Sequence, residues 1–167
     1  YTINNEAITP WEGRLYALIN RTEVPQELPG LFHLSTYMGA AISTPDKRYK
    51  KISFSDMSKS NLSLNAGAGW VSMIQHYFIS AWAPREQGEF HYYSVDKGDD
   101  LYTIGMVGPE ISVPGDSTKV TELVFYAGPT ITSQLAQVAP SLDLTVDYGW
   151  LTILAAPLFS VLSGIQK

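Results

Sequence analysis

Hydrophobic and polar residues fall into short blocks along this chain, separated by Gly, Pro, Asn and Asp. Trp11 to Ile19 is apolar and β-prone and stops at Asn20-Arg21-Thr22. Val24-Pro25 to Pro29-Gly30 is a loop punctuated by proline, and Leu31 to Ile42 is a second extended run that ends at Ser43-Thr44-Pro45-Asp46. Tyr49–Phe54 and Asn61–Asn65 alternate polar with apolar residues, as half-buried strands do. Ala66-Gly67-Ala68-Gly69 breaks the chain before its strongest apolar segment, Trp70 to Trp82, which reads as one long strand covered on both faces. Further strands are predicted at Phe90–Val95, Leu101–Val107, Glu110–Val113 and Lys119–Tyr126. Many short strands at regular spacing, with turn residues between them, predict an all-β sandwich.

The pattern changes after Gly128. Ile131, Leu135 and Val138 recur at i, i+4 and i+7, one face of a short helix that Pro129 opens and Pro140 ends. Leu142–Asp147 alternates and reads as an extended link. From Tyr148 to Gln166 there is no formal charge. That stretch approaches the roughly 20 residues of a membrane span, but Gly149, Pro157 and Gly164 make it a poor one. Wound as a helix, it places Thr152, Ala156, Ser160, Ser163 and Lys167 on one narrow stripe, with large apolar residues around the rest. Such a helix must bury most of its circumference. A membrane interface would serve, with Tyr148 and Trp150 at head-group depth. Packing on its own domain, or on a second copy, would serve as well.

Composition narrows the classes. In 167 residues, 45% are hydrophobic and 16% charged, enough for a real core and too little charge for a disordered chain. A net charge of −5 makes a nucleic-acid partner a poor fit. With Cys at 0, disulfide scaffolds, thiolate metal sites and cysteine nucleophiles are excluded. The three histidines, His33, His76 and His91, lack metal-site spacing, so neither a metal nor a cofactor is expected. The Gly-rich stretch before Trp70 precedes a strand, so it is not a phosphate loop. As one strand, the segment puts Trp70 and Trp82 on the same face, with His76 mid-strand; core packing fits this better than a sugar-stacking platform.

Longer segments carry a resemblance. Gly39–Pro45, Gly69–Pro84, Tyr126–Pro129 and especially Val138–Leu151, followed by Pro157-Leu158-Phe159, together resemble the periplasmic domain of the YidC/Oxa/Alb family of membrane protein insertases. The resemblance implies a twisted, galactose mutarotase-like β-sandwich with short C-terminal helices, on the periplasmic side of the inner membrane of Gram-negative bacteria. It implies three parts: sandwich at 1–128, helix and connector at 129–147, and an amphipathic interfacial helix at 148–167 leading toward a transmembrane segment. The family domain is longer on its N-terminal side, so open strand edges are expected, covered by a partner copy, a swapped strand or a further piece of the polypeptide. The family's transport groove belongs to helices beyond this segment.

The implied role is non-catalytic. The domain would aid insertion and folding of nascent inner-membrane proteins, alone or with the SecYEG translocon and SecDF. Trp150, Leu151, Leu154, Leu158 and Phe159 are the expected contacts with lipid or the insertase core. Asp143 and Asp147 are expected to fix the connector, by capping a helix or pairing with a cation. The alternative is a carbohydrate-binding or mutarotase-like protein, in which His76 and His91 would meet one of Glu86, Glu89 or Glu110 in a cleft.

Overall fold

The computed structural model describes residues 1–23 and 37–146. In chain order it contains β1 (Thr2–Asn5), β2 (Trp11–Thr22), β3 (Gly39–Ser43), β4 (Lys50–Ile52), α1 (Phe54–Lys59), β5 (Ser63–Ala66), β6 (Trp70–Gln75), β7 (Phe78–Pro84), β8 (Phe90–Asp96), β9 (Leu101–Val113), β10 (Ser117–Val120), β11 (Leu123–Pro129), α2 (Thr132–Val138) and a 3-10 turn at Leu142–Thr145. The strands form a five-stranded sheet of order β11-β7-β6-β3-β4, a four-stranded sheet of order β2-β9-β8-β5 and a separate two-stranded β1–β10 ribbon. Every pairing is antiparallel. The fold is the all-β sandwich that the spacing of short strands predicts.

The core between the sheets takes Ile42, Val71 and Met73 from the five-stranded side and Tyr92, Ile104 and Met106 from the four-stranded side. The other face of the five-stranded sheet carries a second core. Ala41, Trp70, Ile74, Ile79, Ala81 and Ala83 there meet Leu135, Ala139 and Leu142 from α2 and the turn that follows it. Of the three residues that the helical spacing picks out, Leu135 is completely buried and Val138 packs partly buried beside it, whereas Ile131 is the exposed N-cap of α2.

Several elements differ from the sequence pattern for identifiable reasons. Trp70–Trp82 is a hairpin, not one strand: Gln75 pairs with Phe78, and His76 and Tyr77 form the turn. His76 has a φ of 41°, in the left-handed region. Antiparallel partners share a face, and each pair here joins an even to an odd position, such as Ile74 with Ile79. Trp70 therefore faces the outer core, while Trp82 packs toward the inner one, against Phe125 at 4.5 Å between ring centroids. The two tryptophans lie on opposite faces.

The predicted strand Tyr49–Phe54 stops at Ile52, because Ser53 and Asp56 form a capping box that opens α1. The two strands predicted between Leu101 and Val113 are one, β9. Its register against β2 slips between Glu110 and Val107, so Pro109 sits in a bulge, where it need not donate to the ladder. The run Lys119–Tyr126 is divided between β10 and β11. Pro129 closes β11 opposite Phe78 rather than opening a helix, and α2 starts at Thr132. Leu142–Thr145 is a 3-10 turn rather than an extended link.

Candidate functional site

Beyond the apolar packing, the Trp70 indole ties the helical cap to the outer face of the five-stranded sheet, and the Tyr126 hydroxyl donates to Gln134 Oε1 of α2 at 3.2 Å. Gly69 introduces Trp70 with a φ of 145°, and a Cβ at Gly69 would collide with the Ser43 carbonyl oxygen. This close approach lets Trp70 enter β6 opposite Ser43. Trp70 is buried, its ring 6.3 Å from that of Tyr49, and its Nε1–H donates to the Pro140 carbonyl at 2.9 Å. The bond seizes the backbone between α2 and the 3-10 turn. Ala139 N–H closes α2 on the Leu135 carbonyl, and Leu142 N–H returns to the Ala139 carbonyl. Ser141, at a φ of 64°, makes the sharp reversal between them.

Tyr37 braces the same face from the β3–β4 edge. Its hydroxyl donates to the Ala40 carbonyl at 2.6 Å and accepts from the Ile52 N–H at 3.0 Å. Burial pushes its pKa well above the usual phenol range. Lys51 Nζ lies 4.7 Å from its ring centroid. Beside Trp70 lies a groove of about 450 Å³ lined by Pro140, Ser141, Pro45, Arg48 and Arg85.

The four-stranded sheet presents a different outer face. Arg14, Asn65, Glu89, His91, Pro109 and Glu110 line an open cleft of about 400 Å³ there. His91 Nδ1 meets Asn65 Oδ1 at 2.7 Å, and Asn65 Nδ2 donates to Glu89 Oε1 at 2.9 Å. Arg14 pairs with Glu110 at 3.6 Å, both side chains more than half exposed.

Of the predicted site residues, Trp150, Leu151, Leu154, Leu158, Phe159 and Asp147 lie outside the described residues, as does His33. Asp143 stands in the first turn of the 3-10 segment, and its carbonyl accepts from Val146 N–H. The cleft brings His91 together with Glu89 and Glu110 but not with His76, which occupies the β6–β7 turn of the other sheet. Glu86 lines the groove beside Trp70 instead. Among the described residues, no group of three or more His, Asp or Glu is placed to hold a metal ion, and no helix is long and apolar enough to cross a membrane. The hold of Trp70 on Pro140 is not legible from periodicity, since it joins residues 70 positions apart.

Fold and cap together define an all-β domain whose C-terminal elements are bound to one sheet. Comparison with known proteins makes this specific. Residues 1–161 match the family model described as the YidC periplasmic domain. The chain is 44% identical over 99% of its length to the membrane protein insertase YidC of Legionella pneumophila (strain Corby), of which it covers 30%. It is 45% identical to that of Nitrosococcus oceani, over 99% of the chain and 30% of the relative, and 41% identical to that of Pseudomonas aeruginosa (strain LESB58), over 100% and 29%. The chain belongs to the YidC periplasmic domain family, on the periplasmic side of the inner membrane, and spans about 30% of the length of these relatives.

Proposed function

We propose that this domain is a non-catalytic mount within a membrane protein insertase. It sets the height and angle of a sandwich above the membrane and offers surfaces to nascent inner-membrane proteins and to the SecDF and SecYEG subunits. The observation that carries the reading is the Trp70–Pro140 bond, with α2 and the 3-10 turn packed on the sheet beneath it. It fixes the backbone only a few residues before an uncharged stretch of amphipathic pattern, Tyr148 to Gln166. If that stretch lies in the lipid interface as a helix, the sandwich inherits its orientation. Trp150, Leu151, Leu154, Leu158 and Phe159 are then its anchors, each contributing roughly 1.5–3 kcal/mol on burial. Asp143 and Asp147 fix the connector.

The test is vesicle flotation of the whole chain. Leu154→Asp with Phe159→Asp should abolish association with neutral phosphatidylcholine vesicles and leave the far-ultraviolet β signal intact. Association that survives the pair removes the interfacial helix.

A second reading rests on the cleft at His91. An imidazole oriented through Asn65, with Glu89 and Glu110 alongside, offers the acid and base types that proton transfer at a sugar anomeric centre needs. Titration with galactose, followed by the His91 ring protons, tests it. No shift at millimolar sugar excludes it.

A further inference from the structure

The acidic chain carries one concentration of positive charge, and the fold gives it a place. Lys47, Arg48, Lys50 and Lys51 are four of the 11 cations of the sequence within five consecutive positions. All four are exposed. They occupy the turn between β3 and β4 and the first two residues of β4, the edge strand of the five-stranded sheet. Arg85, in the β7–β8 loop, joins Arg48 at the groove that Trp70, Pro140 and Ser141 also line. The carboxylates around these five cations are Asp46 in the turn, Glu86 beside Arg85, Glu122 opposite it, whose carbonyl accepts from the Arg85 N–H, and Asp56 on α1, which feels Lys50 and Lys59. The local balance is positive in a chain whose net charge is −5.

Lysines on an edge strand have an ordinary use, which is to discourage pairing with another sheet. That accounts for Lys50 and Lys51. It does not account for Lys47 and Arg48, which precede the strand, or for Arg85, which follows β7, three strands away across the sheet.

We propose that the β3–β4 turn and Arg85 form a basic surface that binds the head groups of anionic phospholipids, beside the groove where Trp70 holds the C-terminal cap. The occupant is a lipid surface because of position. The patch adjoins Pro140 and Ser141, close in sequence to the stretch proposed to lie in the membrane, while the acidic remainder of the chain turns away from anions. This deepens the mount reading and rests on it for the orientation of the sandwich. The interfacial helix would supply depth, and the basic turn a second point of contact that fixes rotation about the helix axis. Each cation near an anionic surface strengthens binding about fivefold, with the gain falling off within a Debye length.

The experiment compares vesicles of phosphatidylcholine alone with vesicles containing phosphatidylglycerol, using the whole chain at low salt. Lys47→Glu with Arg48→Glu, both in an exposed turn, is set against Lys97→Glu with Lys119→Glu, an equal change of net charge away from the groove. The hairpin pair should lower partitioning onto the anionic vesicles by about 30-fold or more, leave partitioning onto neutral vesicles unchanged, and shrink the response to phosphatidylglycerol by the same factor. Arg85→Glu alone should act in the same direction, and 0.5 M salt should mimic the pair. A wild-type chain indifferent to phosphatidylglycerol, or an equal loss in the control pair, overturns the proposal. Failure of neutral-vesicle binding with the anionic increment intact would instead overturn the interfacial helix and leave the basic surface standing.

Discussion

The two sheets of this sandwich share one core and differ on their outer faces. The five-stranded sheet is covered on both sides, by its partner sheet and by the α2 cap, and its central strand β6 is buried at Trp70, Val71, Ser72, Met73 and Ile74. Among the described residues the four-stranded sheet is covered on one side, and its outer face carries Tyr16, 66% exposed, and the polar network of Asn65, Glu89 and His91. The mount proposed above would need its cap on the sheet that is buried from both sides, and α2 packs there.

Mutations at the covered face should have the largest effects. Trp70→Ala removes a buried ring and leaves the Pro140 carbonyl without its donor, and should cost about 3–5 kcal/mol in urea unfolding. Leu135→Ala, which strips the cap of its buried anchor, should cost about 2–5 kcal/mol. Trp70→Phe sharpens the comparison. It keeps an aromatic ring but loses the bond, and should raise amide exchange at Leu142 and Val146 more than at Ile104.

The buried phenol of Tyr92 makes a smaller test. Its hydroxyl has no partner among the described residues, and burial raises its pKa. Tyr92→Phe should therefore change stability by under about 1 kcal/mol, and a larger loss would reveal a hidden partner. On the open face, Tyr16→Ala should stay within about 0.5 kcal/mol in the same assay.

The smallest effect is on α1. Hydrogen bonds from Ser53 hold the Asp56 carboxyl below the usual range, and bonds from Ser58 and Gly98 do so for Asp96. A depressed carboxyl stabilises the fold above its unfolded value, about 4, and that support is lost as pH falls through the lower folded value. Amide shifts of Phe54–Lys59 should thus move on acidification before those of β6 do.

Strand content was legible because burial writes itself into alternation, and Trp11, Phe90 and Leu101 each start a strand where the pattern places one. What hid was anything set by turns. The His76-Tyr77 turn lies inside an apolar run without Gly, Pro or Asn to mark it, so the hairpin was invisible and the facing of Trp82 was inverted. The capping box at Ser53 and Asp56 was present in the sequence, but the alternation of Tyr49–Phe54 made Phe54 look like the end of a strand. The cleft at His91 joins β2, β5, β8 and β9, and the groove at Trp70 joins four separate segments. No spacing along the chain announces such meetings. The YidC resemblance was legible because its segments run in order across most of the chain.

The central claim is that residues beyond the cap meet lipid while the open face does not. With no native cysteine, single Cys substitutions at Leu158 and at Tyr16 can each carry an environment-sensitive fluorophore. On adding phosphatidylcholine vesicles, the account predicts a blue shift at position 158 and none at position 16. A shift at 16 alone, or at neither position, would contradict it.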